Sequence, residues 1–339
     1  VNLKKVSEVV AEVLIEEKVS HVFAISGGAS LHLIHSLADN ENIQYICNHN
    51  EQACAMAADG YSRVSGKTGV AVTTSGPGAT NLITGICCSY YDSIPSLFIT
   101  GQVSTMRMKG DTGVRQIGFQ ETPIVDIAEE ITKYAYTIVD PEEIKYQLQK
   151  ALHIARSGRP GPVLIDIPDD LQRQLVDPLK LKNFQAPAAQ EFPHLNNSLQ
   201  DTIDSIMNSK RPILIAGWGV HLSDTEAEFL KFAESFNIPI ALTWGAADLI
   251  PFDHDLYVGT FGTHGNRHAN FAVQNADLII SLGSRLDTKS TGSPINTFAR
   301  EAKKIMVDID INELNKFQYF DLKFDQLIHC DLRDFFNNF

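Results

Sequence analysis

Short apolar runs with strand character recur along this chain at 21–26, 43–48, 69–75, 96–101 and 163–167, and segments of helical periodicity fill the gaps between them. That alternation constrains the fold more than any other feature of the sequence. Strands separated by helices line up in parallel, and a parallel sheet must be covered on both faces. The pattern restarts further on, with strand-like runs at 212–216, 238–242, 278–282 and 304–309. Between the two halves, 179–197 holds two prolines, alternating Ala and Gln and a pair of asparagines, with little periodicity. At 339 residues the chain also exceeds what one hydrophobic core usually organises. The sequence therefore predicts the α/β class with two doubly wound domains, each a mostly parallel sheet flanked by helices: residues 1–182, a linker at 183–196, and residues 197–339.

Bulk properties exclude several function classes. A net charge of −13 repels phosphate backbones, so nucleic acid is not an expected partner. No stretch approaches the roughly 18 uninterrupted apolar residues that span a bilayer, so no membrane partner is expected. The five cysteines, Cys47, Cys54, Cys87, Cys88 and Cys330, are odd in number, lack CxxC spacing and fall mostly in segments that read as buried, which predicts core thiols in a reducing compartment. The opening segment, 1–18, has an amphipathic helical pattern charged throughout, without a signal peptide's apolar centre, and a cytoplasmic location is expected. The final residues read as a helix or tail with three phenylalanines in the last five, expected to pack on something, a part beyond the sequence included.

The most informative stretch is NHNEQACAMAADGYSRVSGKTGVAVTTSGPGATN at 48–81. It places a carboxylate, Glu51, just beyond one strand and a Gly-Pro-Gly turn just beyond the next, so both fall at the carboxyl edge of the sheet, where open parallel sheets bind ligands. Each feature also has a plain structural explanation. An acid in a helix's first turn is stabilised by the macrodipole by a few tenths to about 1 kcal/mol. SGPG at 75–78 makes a serviceable strand-to-helix turn, with Pro77 near the first helical position. Gly27 and Gly28 after the first strand make a simple βα turn or let main chain approach a ligand closely. In the second half, Ala216-Gly217-Trp218-Gly219 lies between strand and helix, a weak dinucleotide-like signal because its third glycine is lacking.

In combination, Glu51-Gln52, the small-residue helix through Ala55, Ala58 and Tyr61, and TSGPGATN at 74–81 resemble the pyrimidine-binding domain of thiamine-diphosphate decarboxylases and carboligases, most closely acetolactate synthases. The resemblance continues through YYDSIPSLFITGQV at 90–103, FQET at 119–122, GRPGPVLIDIP at 158–168, GTFGTHGNRHAN at 259–270, ADLIISLGSRLD at 276–287 and VDIDINELNK at 307–316. It implies a thiamine-diphosphate-binding first domain in which Glu51, partly buried, shares a proton with the cofactor's pyrimidine ring and so activates the cofactor toward a 2-oxo acid, with loss of carbon dioxide and carboligation. Gly27, Gly28, Ser75, Gly76, Pro77, Gly78 and Asn81 then line the cofactor, and Gln102, Phe119 and Gln120 stand near the substrate, although Phe119 reads equally as a core aromatic. The same family holds FAD in its second domain, where Arg159, Gly217, Gly219, His264, Gly265, Arg285 and Asp308 match positions on or near it. Association as a homodimer or homotetramer is implied as well.

Departures from the family keep parts of this open. Asn50 stands where a histidine is usual, Asp169 where a lysine follows Ile-Pro, and Leu286-Asp287-Thr288-Lys289 where Phe-Asp-Asp-Arg is usual. The exchange of cation for anion at 169 leaves FAD binding and substrate choice undecided. No Gly-Asp-Gly followed by Asn, the family's Mg²⁺ and diphosphate site in a third domain, occurs before Phe339, so no metal site is assigned and the chain reads as part of a longer enzyme. A related lyase of sugar or polysaccharide biosynthesis and a non-catalytic nucleotide-binding module are the alternatives.

Overall fold

In the computed structural model, which describes residues 3–188, 190–192 and 195–339, the chain divides into two compact units, Val1–Ala188 and Ala189–Phe339. Val1 and Asn2 of the expected opening helix, and Ala189, Pro193 and His194 of the expected linker, lie outside the described residues. The opening helix itself is shorter than its pattern suggests and runs Val6–Glu16 (α1), preceded by a two-residue strand, Lys4–Lys5, paired with Leu175–Val176.

The first unit is built on a six-stranded sheet: β1 (His21–Ala24), β2 (Gln44–Cys47), β3 (Gly69–Thr73), β4 (Ser96–Gln102), β5 (Tyr134–Thr137) and β6 (Val163–Pro168). All pairings are parallel and the spatial order is 2-1-3-4-6-5. The apolar runs are continuous because both faces are buried. Val70, Val72, Leu97, Ile99, Val163 and Ile165 join one core with α1, α2 (Leu31–Ala38) and α5 (Ile144–Arg156). Ala71, Phe98 and Leu164, one register position away, join the other with α3 (Glu51–Ser65) and α4 (Ile83–Tyr91).

The second unit carries β7 (Pro212–Ala216), β8 (Ile240–Leu242), β9 (Tyr257–Thr260), β10 (Leu278–Leu282), β11 (Lys303–Asp308) and β12 (Gln326–His329), again all parallel, in the order 9-8-7-10-11-12. Numbered within the unit that is 3-2-1-4-5-6, the doubly wound order in which the direction of winding reverses between the first and fourth strands. Helices α6 (Leu195–Asn208), α7 (Glu226–Phe236), α8 (Arg267–Gln274) and α9 (Leu332–Asn337) flank it. The terminal phenylalanines pack within this unit: the rings of Phe335, Phe336 and Phe339 all contact Phe232 at centroid distances of 6.0, 5.9 and 4.7 Å.

All five cysteines are free thiols, but the expectation that most are buried holds only for Cys54 and Cys330. Cys47 sits on the edge strand β2 and is exposed, and Cys87 and Cys88 are half-buried on α4. Among the described residues, no helix is long and apolar enough to cross a membrane.

Candidate cofactor site at the carboxyl edge of the first unit

In the first unit the winding reverses between β1 and β3, and the loops leaving these two strands meet. Gly27 follows β1, and a Cβ there would lie 2.4 Å from Thr74 Cγ2, so only glycine permits the approach. Thr74 in turn accepts a hydrogen bond from the Ala29 amide at 3.2 Å, which ties the two loops together. Gly28, by contrast, faces open space.

After Thr74 the chain turns sharply. Gly76 takes φ +61°, in the left-handed region that glycine tolerates, and Pro77 opens a short helix, Pro77–Thr80. Ser75 is buried and its carbonyl accepts the Gly78 amide at 3.2 Å. The turn brings Gly78 beside the carboxylate that follows β2, on the far side of β1: a Cβ at 78 would lie 3.7 Å from Glu51 Oε1. Asn81 closes the arrangement, donating from Nδ2 to Glu51 Oε2 at 2.9 Å.

Glu51 is half-buried as the first residue of α3. The residue before it, Asn50, is the N-cap: its side chain accepts the Gln52 amide at 2.8 Å. An asparagine is among the best residues for that position, so the departure from the family's histidine has a local structural account. One turn into the helix, burial and then the negative Glu51 push the Cys54 thiol up to about 12, which keeps it protonated and inert. Asn48, at the end of β2, buries an amide oxygen with no hydrogen-bond partner.

The residues expected near a substrate divide. Gln120 adopts φ +64° and its Cβ lies 2.8 Å from where a Cβ of Gly76 would be, so the 119–122 segment rests on the Gly-Pro-Gly turn. Phe119 is 85% exposed and belongs to no core. Gln102 is 3% exposed, and its amide is engaged inside the unit: Nε2 donates to Asp166 Oδ2 at 3.0 Å and to the Thr122 carbonyl at 2.8 Å, while Oε1 accepts the Val103 amide at 3.0 Å. Thr74 and Asp166 were not singled out from sequence. Thr74 opens the TSGPGATN segment at 74–81. Asp166 was signalled by being the one charge in the strand VLIDIP, since buried carboxylates need partners.

Of the residues matched to FAD positions, Arg159 lies in the first unit and the others in the second. Arg159 precedes β6 at the amino edge, the opposite edge from Glu51, and its Nε donates to Ser93 Oγ at 2.8 Å. Asp169 accepts a hydrogen bond from the Ser104 hydroxyl, and Asp170 accepts the Thr105 amide at 2.9 Å, so this acidic pair braces the loop after β4. In the second unit, Gly217, His264, Gly265, Arg285 and Asp308 stand at or beyond the carboxyl ends of β7, β9, β10 and β11. There a Cβ at Gly217 would lie 2.2 Å from the Gly283 carbonyl oxygen, and one at Gly219 would lie 2.6 Å from Gly283 Cα. His264 sits against Trp244, ring centroids 4.9 Å apart; the Arg285 carbonyl accepts Lys316 Nζ; and buried Asp308 accepts the Asp310 amide at 2.9 Å.

Comparison with known proteins agrees with this division of the chain. The domain described as "Thiamine pyrophosphate enzyme, N-terminal TPP binding domain" matches residues 4–128, and "Thiamine pyrophosphate enzyme, central domain" matches residues 199–336. The chain is 39% identical to acetolactate synthase 2, chloroplastic, of Nicotiana tabacum over 320 residues, 92% of this chain and 46% of that protein. It is 39% identical to the probable acetolactate synthase large subunit of Methanocaldococcus jannaschii, covering 92% of this chain and 52% of that one, and 38% identical to the large subunit of Lactococcus lactis, covering 91% and 53%. The chain thus spans about half the length of the curated relatives it matches. A glutamate fixed at the winding reversal of the first unit, a Gly-Pro-Gly turn against it and both domain matches in register lead to one statement: this chain belongs to the thiamine pyrophosphate enzymes and carries their N-terminal and central domains.

Proposed function

We propose that the chain supplies the proton-handling part of an enzyme that decarboxylates a pyruvate-like 2-oxo acid and joins the remaining fragment to a second carbonyl compound, as acetolactate synthases do. The single observation that carries the reading is the Glu51 carboxylate, half-buried, tethered by Asn81 at 2.9 Å and lying beside Gly78 of the Gly-Pro-Gly turn. Thiamine diphosphate, when bound, supplies the nucleophilic carbon and the electron sink for the departing carboxylate.

The residues present suit its pyrimidine ring. Gly78 leaves the face of Glu51 Oε1 open, and the buried, unpartnered Asn48 oxygen is an acceptor at the same edge. Glu51 holds a proton at Oε1 for a ring nitrogen while Asn81 fixes Oε2 and hence the direction of Oε1. Proton transfer by a positioned carboxyl is worth on the order of 10²–10⁴ in rate. Gly76, Pro77 and Ser75 shape the turn, and Phe119 and Gln120 face the substrate side.

Mg²⁺ and the diphosphate are assigned to groups outside these two units, and a homodimer or homotetramer is the proposed assembly. The exposed apolar side chains of Met106, Ile117 and Phe119 beside the site support association. The relatives named above are all acetolactate synthases, which favours that reaction over a sugar-directed lyase. FAD is not part of the proposal. The small size of Gly217 and Gly219 is accounted for by backbone packing against Gly283, and Arg159 is engaged with Ser93, so neither adds weight to a flavin.

Glu51→Gln tests the reading. The amide keeps shape and loses the shared proton, so turnover of pyruvate with thiamine diphosphate and Mg²⁺ should fall by at least about a hundredfold while the circular dichroism and unfolding midpoint stay unchanged. A well-folded variant that keeps most of its activity would sink the assignment.

A further inference from the structure

We infer that Asp166 is a positioning residue, holding Gln102 so that its second N–H anchors the 118–122 strap against the Gly76 turn. Asp166 lies in β6, 1% exposed, in a strand otherwise made of apolar residues. Its Oδ1 accepts the Thr100 hydroxyl at 2.6 Å, and its Oδ2 accepts Gln102 Nε2 at 3.0 Å and the Thr137 hydroxyl at 3.4 Å. Three donors from two flanking strands converge on two oxygens; the corresponding amide could meet them only if Thr100 turned its hydroxyl to accept, and it would hold Gln102 through a neutral oxygen in place of a charged one. Gln102 has one carbonyl and one NH₂, and all three of their bonds are made within the unit. Its orientation is therefore fixed at both ends.

What Gln102 anchors is the Thr122 carbonyl, 2.8 Å away. That carbonyl ends a tight segment in which the Glu121 amide bonds to the Gly118 carbonyl at 3.0 Å, and the Glu121 carboxylate accepts the Ile117 amide at 2.9 Å and the Lys109 amide at 2.5 Å. Inside it, Gln120 is held at φ +64°, a conformation that a non-glycine residue keeps only where its surroundings impose it. The strap thereby sets Gln120 against Gly76, and Gly76 leads the turn that places Gly78 and Asn81 around Glu51. Burial, only partly offset by its three hydrogen bonds, holds the Asp166 carboxyl up at about 6. A cost of that kind persists in a protein interior where the group does a task an apolar residue would not. Gln102 by this account orients the site and does not touch the substrate.

The functional half of the inference rests on the thiamine-diphosphate reading above; the structural half does not, and its test is made on the strap itself. In Asp166→Asn, amide hydrogen exchange at Glu121 and Ile124 should accelerate about tenfold, the scale of one lost hydrogen bond to a buried network, while exchange in β10 of the second unit is unchanged. Adding Gln102→Glu to Asp166→Asn restores the link between 102 and 166, since the asparagine amide can donate to the new carboxylate, but leaves Thr122 without a donor. The double variant should recover its unfolding midpoint while exchange at 121 and 124 stays fast. Unchanged exchange in Asp166→Asn, or exchange that recovers together with the midpoint in the double variant, would overturn the proposal. Should Asp166→Asn fail to fold, Gln102→Met keeps the volume, must show the same acceleration, and overturns the proposal if it does not. None of these readings depends on turnover, so a failure here is separate from a failure of Glu51→Gln.

Discussion

Both units are doubly wound with the reversal beside their first strand, but their strand orders differ and so does the way each closes the reversal. In the first, the loops leaving β1 and β3 meet through a side chain: Gly27 faces the Thr74 methyl, and the Thr74 hydroxyl accepts an amide from across the gap. In the second, the loops leaving β7 and β10 meet backbone to backbone, with Gly217 and Gly219 pressed on Gly283. The first arrangement keeps polar groups at the reversal point and sets a carboxylate beside them. The second brings two loops close enough that a Cβ at Gly217 would meet the Gly283 carbonyl oxygen and Ser284. One reversal point therefore holds a carboxylate and the other glycines that serve packing, and the difference lies in a handful of residues that the doubly wound class does not dictate.

The strongest way to break this comparison is to add a methyl to each reversal point. In Gly217→Ala the new carbon would lie 2.2 Å from a carbonyl oxygen that cannot move without its strand. A loss of about 3 kcal/mol or more is expected, at or beyond the upper end of what overpacking usually costs. In Gly27→Ala the new carbon would meet Thr74 Cγ2 at 2.4 Å and Thr74 Cβ at 2.5 Å; rotation of the side chain moves the first and not the second, so the two loops must part slightly, and the expected loss is about 2 kcal/mol, accompanied by loss of the Ala29–Thr74 hydrogen bond. Both tryptophans, Trp218 and Trp244, belong to the second unit, so their fluorescence during denaturant unfolding reports on that unit alone while circular dichroism reports on both. Equal losses, or the reverse order, would show that the two closures are mechanically alike.

Sequence alone read the central strands closely and missed three edges. The runs at 69–75, 96–101 and 163–167 correspond to β3, β4 and β6, each buried on both faces and therefore apolar without interruption. Besides the two-residue pair Lys4–Lys5 and Leu175–Val176, the strands that escaped notice, β5, β9 and β12, all lie at the edge of a six-stranded sheet, where the short segments YAYT, YVGT and QLIH mix polar, small and apolar residues over half-buried surface. In the candidate site, Glu51 and the Gly-Pro-Gly turn were legible because their spacing in the chain follows from one βαβ step. Their tether, Asn81, was legible as a motif residue but not as a partner of Glu51, thirty positions earlier. The contact of Gly76 with Gln120 and the convergence of Thr100, Gln102 and Thr137 on Asp166 link separate strands, and no local pattern encodes which side chains will meet. The terminal phenylalanines were conspicuous, yet only the structure shows that α7 of the same unit receives them.

Acid should act on the two units with opposite sign, a second and smaller test of their difference. Asp166 in the first unit is raised to about 6 by burial, so the folded state binds a proton that the unfolded chain, with a carboxyl near 3.9, releases. Its contribution to stability is fully present below about pH 3.9 and is lost as pH rises through about 6. In the second unit Asp277 moves the other way: desolvation opposes the shift, but hydrogen bonds from Ser209 and the Lys210 and Arg211 amides outweigh it and hold its carboxyl below the ordinary range. Its contribution is present at neutral pH and lost on acidification. Glu143 in the first unit is likewise held low, so the Asp166 effect must be isolated by difference. Wild-type stability minus that of Asp166→Asn should fall by on the order of 2 kcal/mol between pH 4 and 7, whereas the Asp277 contribution to the second unit should stay nearly constant over that span and be lost only as pH drops below about 3.9. A flat difference would mean that Asp166 titrates as an ordinary carboxyl and that its burial is relieved in solution.

The smallest expected effect distinguishes two asparagines. Asn81 donates to the Glu51 carboxylate at the surface of the first unit, whereas Asn270 in the second unit clasps the Gly262 backbone, accepting its amide at 2.9 Å and donating to its carbonyl at 3.0 Å. Asn81→Ala removes one partly solvated hydrogen bond, and water can replace the donor. The stability of the first unit should therefore stay within about 0.5 kcal/mol. The direction of Glu51 Oε1 would no longer be fixed, and kcat with thiamine diphosphate should drop about three- to fivefold, the kinetic equivalent of roughly 1 kcal/mol. Asn270→Ala removes two bonds to one loop, leaves a half-buried amide and carbonyl to find water, and should cost about 1 kcal/mol of second-unit stability. Turnover constants should stay near wild type in that variant, because the loop beyond β9 is assigned no part in proton transfer. If Asn81→Ala instead lowered stability and left kcat alone, the Asn81–Glu51 bond would be a packing feature like that of Asn270, and the carboxyl edge of the first unit would lose the distinction drawn for it here.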